Sequence, residues 1–404
     1  MGRAAKTQAS GQAAPLPAEA DVAIIGAGVM GLALAYNLAR LGAKRIVVVD
    51  ANTLAWGASG RNGGGVRQQW STELNIRLMQ ESAELCAGFA QEMGINVWMR
   101  RGGYLFLART AAARARMAKS VALQNRCDVG TELITPAEAK KLVPELEVEG
   151  FEAACYNATD GIVFPWPFLW GYARAAEKRG VAIHTATPVT ALEPVARGFR
   201  LVTPKGTLTA ARVVCAAGAW SPQVARLAGV SLPDWPQRHE ILSTEALKPF
   251  LKPMVSVLES GLYFSQSLRG EIVGGISMPE PPPTPGAPHE IQLGARLAFL
   301  QTMARALTDV MPILGDVKVV RQWAGPYDMS PDGDPLVGEA PGLPGFYVCC
   351  GFEGHGFMMA PVVARHYARH LTGEATHPFF ETWRASRFAG SGPAGGKRET
   401  MTIG

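Results

Sequence analysis

The chain has 404 residues, of which 48% are hydrophobic and 18% are charged, and its formal net charge is +5. This length and composition predict a globular protein of two intertwined domains, and they exclude a fibrous or wholly disordered chain. The mild charge gives no sign of nucleic-acid binding, and no run of about 18 apolar residues predicts a transmembrane helix.

The two ends of the chain are poor in apolar residues. Residues 1–20 are small, polar and proline-containing, and they lack the apolar segment of a secretory signal. We expect them to form a disordered arm, and we expect the glycine-rich residues 390–404 to be disordered within a C-terminal tail of residues 376–404. The six cysteines form no Cys-x-x-Cys pair, which predicts reduced, buried thiols in a cytoplasmic protein.

The first predicted elements form a βαβ unit. Val22–Ile25 is a short apolar run that predicts a buried strand, and Ile46–Val49 predicts a second one. Leu32–Leu41 is rich in alanine and leucine, and it predicts the helix between the two strands. The turn into this helix carries a G-x-G-x-x-G pattern, which consists of Gly26, Gly28 and Gly31.

This glycine pattern is typical of a dinucleotide-binding turn. The first glycine permits the tight turn, the second lets the backbone approach a pyrophosphate, and the third lets helix and strand pack closely. Asp50 ends the second strand about 20 residues after Gly31, where an acidic side chain bonds a ribose hydroxyl. An acid here, instead of an arginine, disfavours a 2′-phosphate, but the unit alone is compatible with both NAD and FAD.

The loop after Asp50 favours FAD. Its sequence, ANTLAWGASGRNGGGVRQQW, includes three successive glycines, Gly63 to Gly65. Such glycines let backbone amides approach a second phosphate and a flat ring without steric conflict. An NAD-binding chain would instead continue with another plain βα unit. The alternative interpretation is a flexible surface loop without a ligand.

Five stretches together resemble one superfamily of flavoproteins. They are GAGVMG (26–31), SGRNGGGVRQQW (59–70), RRGGYLFLA (100–108), NATDGIVFPWPFLWGYARAAEKRG (157–180) and CCGFEGHGFMMAP (349–361). With these motifs the chain resembles the D-amino-acid-oxidase superfamily. Within it, the sequence is similar to the β subunit of heterotetrameric sarcosine oxidase and to dye-linked L-proline dehydrogenase. The resemblance extends over nearly all of residues 20–375.

The resemblance implies an α/β fold, α+β overall. A Rossmann-like FAD-binding domain would carry an inserted substrate domain with a mainly antiparallel sheet. The FAD-binding domain would be discontinuous, over residues 21–91, 151–235 and 321–375. Residues 92–150 and 236–320 would form the substrate domain that covers the flavin.

The resemblance also implies further elements around the cofactor. Val181–Ala186 and Arg212–Ala217 would be strands, and Phe168–Lys178 would be a helix. Phe346–Cys350 would be a strand that leads into a helix, whose N-terminus would face the flavin. The residues expected to bind FAD are Gly26, Gly28, Val29, Met30, Gly31, Asp50, Ala51, Ala58, Ser59, Arg61, Asn62, Gly63, Gly64, Gly65, Val189, Ala217, Gly218, Trp220, Gly351, Gly354, His355, Gly356, Phe357 and Met358.

The superfamily oxidises amino acids or N-alkyl amino acids at the carbon next to nitrogen. A hydride passes to flavin N5, and water hydrolyses the resulting imine. Arg67 matches the arginine that binds the substrate carboxylate, Tyr263 matches an active-site tyrosine, and His355 lies where the family places a histidine against the flavin. His184 and His239 are expected to be structural. No cluster has metal-ligand spacing, so no metal site is predicted.

The sequence departs from the family at several positions with known chemistry. The segment Trp56–Ser59 and Gly325 replace the histidine and the cysteine that anchor FAD in some relatives, which predicts non-covalent FAD. Pro165 replaces the histidine that tethers FMN, so FMN is expected only at an interface with a partner subunit. Met358 and Ile272 replace two lysines of monomeric sarcosine oxidase, of which the first binds the substrate carboxylate and the second activates oxygen. Their absence favours a dehydrogenase that passes electrons to a partner or acceptor over an oxidase.

Two alternatives remain open from the sequence. A flavoenzyme of the same fold that acts on a 2-hydroxy acid or on glycerol 3-phosphate would need additional cationic residues, and no obvious cluster of them is visible. A flavin-holding subunit without catalytic activity is the second alternative. On the leading hypothesis the partners are a small amino or imino acid and either an α-type subunit or an electron acceptor, and no nucleic acid.

Overall fold

The computed structural model describes residues 15–280, 291–388 and 399–401, which form two eight-stranded sheets, one short strand pair and nine α-helices. The strands are β1 (Glu19–Ile25), β2 (Ile46–Val49), β3 (Gly65–Val66), β4 (Tyr104–Ala108), β5 (Glu132–Ile134), β6 (Ala153–Asn157), β7 (Gly161–Ile162), β8 (Ala182–His184), β9 (Ala191–Val195), β10 (Gly198–Thr203), β11 (Gly206–Cys215), β12 (Trp235–Ala246), β13 (Met254–Val257), β14 (Leu262–Gln266), β15 (Glu271–Gly275), β16 (Val319–Met329), β17 (Leu336–Glu339) and β18 (Phe346–Cys350). The helices are α1 (Val29–Arg40), α2 (Glu73–Met93), α3 (Ala111–Arg126), α4 (Pro136–Leu142), α5 (Pro165–Glu177), α6 (Ser221–Leu227), α7 (Leu297–Val310), α8 (Gly356–Leu371) and α9 (Phe379–Thr382).

The first sheet has the strand order β17-β18-β11-β1-β2-β8, and β10 and β9 extend it beside β11. The strands from β18 to β8 pair in parallel. Ile25 of β1 is in register with Val49 of β2 and with Cys215 of β11. The carboxyl ends of these strands therefore meet at one edge of the sheet, where α/β folds bind their ligands.

Helix α1 follows β1 and is buried from Val29 to Leu38. It packs against α8, α5 and β2. Its sequence is mostly apolar around the whole helix, as expected for a helix that is buried on all sides. A Cβ atom on Gly31 would lie 2.0 Å from the Gly26 carbonyl oxygen, so the third glycine of the motif serves the packing of this turn.

The second sheet has the order β16-β12-β15-β14-β13-β4-β6-β5 and is antiparallel except for the parallel pair β4 and β13. Two of its strands differ from the expected domain boundaries. β6, and β16 from its third residue onward, lie in residues expected to belong to the FAD-binding domain, within 151–235 and 321–375. Pairing of β6 with β4 and of β16 with β12 places both in the second sheet. Local apolar runs carry no signal for such long-range pairing.

The chain ends differ from their predicted disorder. Of the arm expected at 1–20, residues 1–14 lie outside the described residues, whereas Glu19 and Ala20 belong to β1 and pair with β11. In the expected tail, before the disorder predicted at 390–404, the side chains of Phe379 and Trp383 are fully buried. Residues 399–401 are also packed against the protein, and 389–398 and 402–404 lie outside the described residues.

The predicted fold class is confirmed: a sheet with a parallel centre and a dinucleotide-binding βαβ unit is joined to a mainly antiparallel second sheet. All six cysteines are free and buried. No helix in the described parts of the chain is long and apolar enough to cross a membrane.

Candidate active site

A cavity of about 510 Å³ opens at the carboxyl edge of the first sheet and is walled on its other side by strands of the second sheet. Nearly all of the predicted site residues line it, and this volume is in the range of cofactor and ligand sites. The exceptions are Gly31 and Gly351. The predicted residues that line the cavity are Gly26, Gly28, Val29, Met30, Asp50, Ala51, Ala58, Ser59, Arg61, Asn62, Gly63, Gly64, Gly65, Arg67, Val189, Ala217, Gly218, Trp220, Tyr263, Gly354, His355, Gly356, Phe357 and Met358.

The nucleotide end of the cavity lies where β1 leads into α1. Gly28 precedes α1 in extended conformation, and the Ser59 hydroxyl accepts a hydrogen bond from the amide of Val29, the first residue of the helix, at 3.0 Å. The Asp50 carboxylate accepts hydrogen bonds from the Ala27 amide at 2.7 Å and the Asn52 amide at 2.8 Å. Burial raises the pKa of Asp50 although both amides oppose the shift. A helix N-terminus beside an acceptor for ribose hydroxyls fits a dinucleotide.

The glycine-rich loop that follows is held by its own hydrogen bonds. The Asn62 side chain donates to the Ser59 carbonyl at 2.6 Å and accepts from the Gly64 amide at 2.8 Å. Gly64 has φ +74°, and a Cβ atom there would lie 1.9 Å from the Val163 carbonyl oxygen. The loop is therefore fixed by hydrogen bonds and close packing, unlike a flexible surface loop.

The segments that follow β8 and β11 form another part of the cavity wall. The Thr187 amide donates to the Asp50 carbonyl at 2.7 Å, which sets the chain that leads to Val189 beside the nucleotide end. After β11, a 3-10 helix at Gly218–Trp220 follows Ala217. These segments line the same cavity as the α1 turn.

Helix α8 begins at the opposite end of the cavity. His355 is its N-cap residue and caps no backbone amide with its side chain. Gly354 has φ +80°, and a Cβ atom there would lie 2.4 Å from the Tyr327 ring, so the turn requires glycine. The Gly351 amide donates to the Asp328 carboxylate at 2.5 Å, which explains why Gly351 supports the loop without lining the cavity. Two helix N-termini, those of α1 and α8, thus face one cavity and suit an anionic cofactor such as FAD.

Arg67 is fully buried and lines the cavity between the two sheets. Its Nη1 donates to the Gln69 carbonyl, and its Nη2 donates to the Met401 carbonyl at 2.8 Å and lies 3.4 Å from His355 Nε2. Its guanidinium lies 4.2 Å from the centre of the Trp70 ring. Burial lowers the pKa of Arg67. Its Nε has no hydrogen-bond partner among the described residues.

Tyr263 faces the cavity together with two residues that the sequence did not indicate. Its hydroxyl lies 3.1 Å from Nε2 of His239, and the His239 ring stacks on Tyr327 at 4.3 Å between centroids. Burial lowers the pKa of His239 to about 4 and raises that of Tyr263 well above its ordinary range. Both side chains are therefore uncharged at neutral pH. His239, which the sequence predicts to be structural, lines the cavity.

The two positions that correspond to family lysines lie in different places. Met358 lines the cavity, whereas Ile272 is buried in a separate apolar cluster of the second sheet. Arg269, close to Ile272 in sequence, is exposed and pairs with Glu271 at 3.0 Å. Among the described residues that line the cavity, the permanently cationic side chains are Arg61 and Arg67, and none is a lysine.

One group of potential metal ligands occurs among the described residues. Ligand atoms of Asp234, Asp328 and Cys350 lie within 4.8 Å of one another, and all three residues are buried. Burial raises the pKa of Asp234 to about 6 and raises that of Asp328 well above its ordinary range. Carboxyl groups of this kind favour a shared proton between them. The cluster supports the α8 turn, because Asp328 binds the Gly351 amide.

Comparison with known proteins assigns this architecture. The model of a family described as FAD dependent oxidoreductase, DAO, matches residues 21–370. The chain belongs to this family. It is 29% identical to sarcosine oxidase subunit beta of Rhodobacter capsulatus, over 89% of each chain. It is 30% identical to sarcosine oxidase subunit beta of Rhizobium meliloti, over 91% of this chain and 88% of the relative.

A solved structure supports the same assignment. The L-proline dehydrogenase from P. horikoshii superposes with a TM-score of 0.86 and 32% identity, over 93% of this chain and 99% of that one. The predicted resemblance to the superfamily is therefore confirmed, and the chain is an FAD-dependent oxidoreductase of the DAO family.

Proposed function

We propose that this chain oxidises an amino acid or an N-alkyl or imino acid, with sarcosine- and proline-like molecules as the leading substrates. Arg67 carries the proposal. It is a fully buried guanidinium on the cavity wall, and its Nε lacks a hydrogen-bond partner among the described residues. Because a buried charge without a counter-ion is costly, a substrate carboxylate is the expected partner. The named relatives act on sarcosine or L-proline, and both compounds carry a carboxylate beside a secondary amine.

The chain's own residues would bind and orient the substrate. FAD, when bound, supplies the acceptor for the hydride that leaves the carbon next to nitrogen. Arg67 would hold the carboxylate, and Tyr263 with His239 would offer uncharged hydrogen-bonding groups about the amine. Because neither Tyr263 nor His239 changes charge near neutral pH, we assign them to orientation and assign deprotonation of the amine to solvent before binding.

We infer a dehydrogenase in preference to an oxidase. A cation beside a flavin promotes reaction with O2 by stabilising negative charge. By the resemblance, Ile272 replaces the lysine that activates O2 in monomeric sarcosine oxidase, and this residue is buried in an apolar cluster of the second sheet. No lysine lines the described part of the cavity. Arg269 is too far out to substitute, since it is an exposed member of a surface ion pair. Electrons would therefore leave through a partner subunit or another acceptor.

A surface beside the cavity loop supports such a partner. Trp98 and Trp170 are 41% and 42% exposed, and Trp98 stacks on Phe164 while Trp170 contacts Trp166. A Cβ atom on Gly60 of the cavity loop would lie 2.9 Å from Trp166, so this aromatic surface is adjacent to the cofactor site. Exposed aromatic clusters are common at protein interfaces. FMN enters this proposal only at the contact with an α-type partner.

Non-covalent FAD is also proposed. Gly325 lines the cavity and offers no nucleophile, and burial raises the pKa of the nearby Cys349 thiol well above its ordinary range. A thiol that stays protonated is a poor nucleophile. Denaturation with acid should therefore release all of the yellow cofactor into the supernatant.

Anaerobic reduction tests the proposal. The purified holoenzyme would receive sarcosine, L-proline, trans-4-hydroxy-L-proline and a set of D-amino acids in turn, while the flavin band near roughly 450 nm is followed. We expect one secondary amino acid to bleach the band and air to restore it slowly. Fast recovery with peroxide release would contradict the dehydrogenase assignment. Bleaching by a 2-hydroxy acid or glycerol 3-phosphate, and by no amine, would contradict the substrate class.

A further inference from the structure

A short segment, residues 399–401, contacts Arg67. The Met401 carbonyl accepts a hydrogen bond from Arg67 Nη2 at 2.8 Å. The Met401 side chain is 1% exposed and belongs to the same apolar cluster as Tyr104 and Met254, which line the cavity. The segment therefore joins the guanidinium to the wall of the second sheet.

Glu399 anchors this segment at the start of α2. Its carboxylate accepts hydrogen bonds from the Ser71 amide at 2.8 Å, the Ser71 hydroxyl at 2.5 Å and the Asn75 side chain at 3.2 Å. It also accepts from the amide of Met401 at 2.9 Å, which fixes the backbone next to the Arg67 contact. A carboxylate at a helix N-terminus is favoured by the helix dipole. Glu399 is 4% exposed, so this anchor is a buried one.

The hydrogen bonds of residues 399–401 indicate whether the segment holds Arg67 in place or blocks its ligand site. A segment that blocked the site would place its carboxylate on the guanidinium, as a substrate mimic. Glu399 instead directs all of its described hydrogen bonds to Ser71, Asn75 and Met401. The group that reaches Arg67 is a neutral carbonyl, and a second neutral carbonyl, from Gln69, binds the other terminal nitrogen. Both terminal nitrogens of the guanidinium are held by neutral carbonyls, so the segment does not neutralise the charge of Arg67.

We propose that residues 399–401 are a positioning element of the carboxylate site, in which Glu399 fixes the segment and the Met401 carbonyl fixes the guanidinium of Arg67. This inference rests on the proposed function, since it assumes an anionic ligand at Arg67. Loss of the anchor lets the guanidinium turn toward other acceptors, so the carboxylate meets a less ordered partner. Glu399 and Met401 are positioning residues and need no contact with the substrate.

The test compares Glu399→Gln with a matched control in the FAD-loaded full chain. Glu259 caps the start of α3 in a similar way, since its carboxylate accepts from the amides of Arg109 and Thr110 at 2.8 and 3.0 Å, and it does not line the cavity. Acetate and acetamide serve as probes, because they differ in charge and resemble each other in size. Calorimetry would measure the affinity for each probe, and thermal unfolding would check that every variant is folded.

We expect Glu399→Gln to weaken acetate binding about tenfold, the size of one charge-assisted hydrogen bond, and to leave acetamide binding unchanged. The control variant Glu259→Gln should bind acetate with the affinity of the parent protein. Ser71→Ala removes a hydroxyl that binds Glu399 and should weaken acetate binding in the same direction. In an Arg67→Lys background the effect of Glu399→Gln should fall below about twofold, because the two changes act on one interaction.

Three results would overturn the inference. Unchanged acetate affinity in folded Glu399→Gln and Ser71→Ala would make the segment structural only. Tighter acetate binding would make it an obstruction. Additive effects with Arg67→Lys would place its action elsewhere. Failure of the proposed function is separate from these, because it would appear as a flavin that no amino acid reduces, whatever the affinity for acetate.

Discussion

Replacing Tyr263 with phenylalanine removes one hydroxyl from the cavity and leaves the ring in place. The hydroxyl lies 3.1 Å from His239 Nε2, and both residues line the cavity. His239 is stacked on Tyr327 at 4.3 Å, with 12° between the ring planes. This stacking restrains the imidazole, so it cannot readily turn toward a new partner once the hydroxyl is gone.

The magnitude follows from burial. A buried polar group that loses its partner costs about 1 to 3 kcal/mol, more than the net gain of the intact hydrogen bond. Since about 1.4 kcal/mol is a factor of ten, the variant should lose roughly 5- to 150-fold in kcat/KM if the pair orients the amine. Because the pKa of His239 is near 4 and that of Tyr263 is well above its ordinary range, we expect this ratio to stay constant between about pH 6 and 9.

Stopped-flow reduction of the flavin, at several substrate concentrations and pH values, would measure the effect. Tyr156→Phe is the matched control, because its hydroxyl donates to the Gly102 carbonyl at 3.3 Å and does not line the cavity. The control should stay within about twofold of the parent enzyme. The reasoning would be refuted if Tyr263→Phe also stayed within twofold, or if its loss changed steeply between pH 6 and 9.

Three further predictions concern the charged groups. Arg67→Lys should lower kcat/KM for L-proline by about 10- to 100-fold, because one charge-assisted hydrogen bond is lost. Pyrrolidine lacks the carboxylate, so kcat/KM for pyrrolidine should fall by less than about threefold. Equal losses for the two compounds in steady-state assays would contradict the carboxylate role. Asp50→Asn should weaken FAD binding by about tenfold, measured by titrating the apoprotein, because its carboxylate organises the α1 turn and faces the nucleotide end; an unchanged dissociation constant would argue against that placement. Burial raises the pKa of Asp234 from its ordinary 3.8 to about 6, so its stabilising contribution is complete below about 3.8 and is lost as the pH rises through about 6. Urea unfolding at pH 5 and pH 7.5 should therefore show that the free energy of unfolding falls less with rising pH in Asp234→Asn than in the parent protein. An identical fall in the variant and the parent would disprove the assignment.

Some elements could be predicted residue by residue from the sequence. Ile46–Val49 and Phe346–Cys350 are strands with the predicted bounds, because they are continuous apolar runs buried on both faces. The strand predicted at Arg212–Ala217 begins earlier, at Gly206, and ends at Cys215. Its first half alternates between buried and exposed residues, since it pairs with β10 at the edge of the sheet. A search for continuous apolar runs misses such a half-buried segment.

The cavity could be predicted only where its residues form motifs. His239 and Tyr327 lie on β12 and β16, which pair so that His239 is opposite Gly325. No local pattern specifies that pairing. Gly275 of β15 leaves the necessary room, because a Cβ atom there would lie 2.9 Å from both His239 Nε2 and the Tyr263 hydroxyl. A polar residue within a β-strand of otherwise apolar character, with glycines on the neighbouring strand, is the one signal that could have suggested it.

The burial of Arg67 and the partners of its guanidinium could not be predicted from the sequence. A second arginine offers a comparison: the side chain of Arg387 is 8% exposed, and it forms a two-pronged ion pair with Asp332, with both N–O distances 2.8 Å. Arg387 also donates to the carbonyls of Pro335 and Asp334, so its charge is neutralised and its donors are used. Such an arginine stabilises a fold and has little capacity left for a ligand.

Arg67 is more completely buried, and its described hydrogen-bonding contacts are to the carbonyls of Gln69 and Met401 and to His355 Nε2, while its guanidinium lies over the Trp70 ring. The carboxylates near it are engaged elsewhere: Asp160 accepts from Gln68 and Gln69, and Glu399 accepts from the start of α2. These acids lie close enough to favour the charged form of Arg67 without contacting it. A guanidinium that is fixed by carbonyls, kept charged from a distance and open to a cavity is the arrangement that binding of a carboxylate requires.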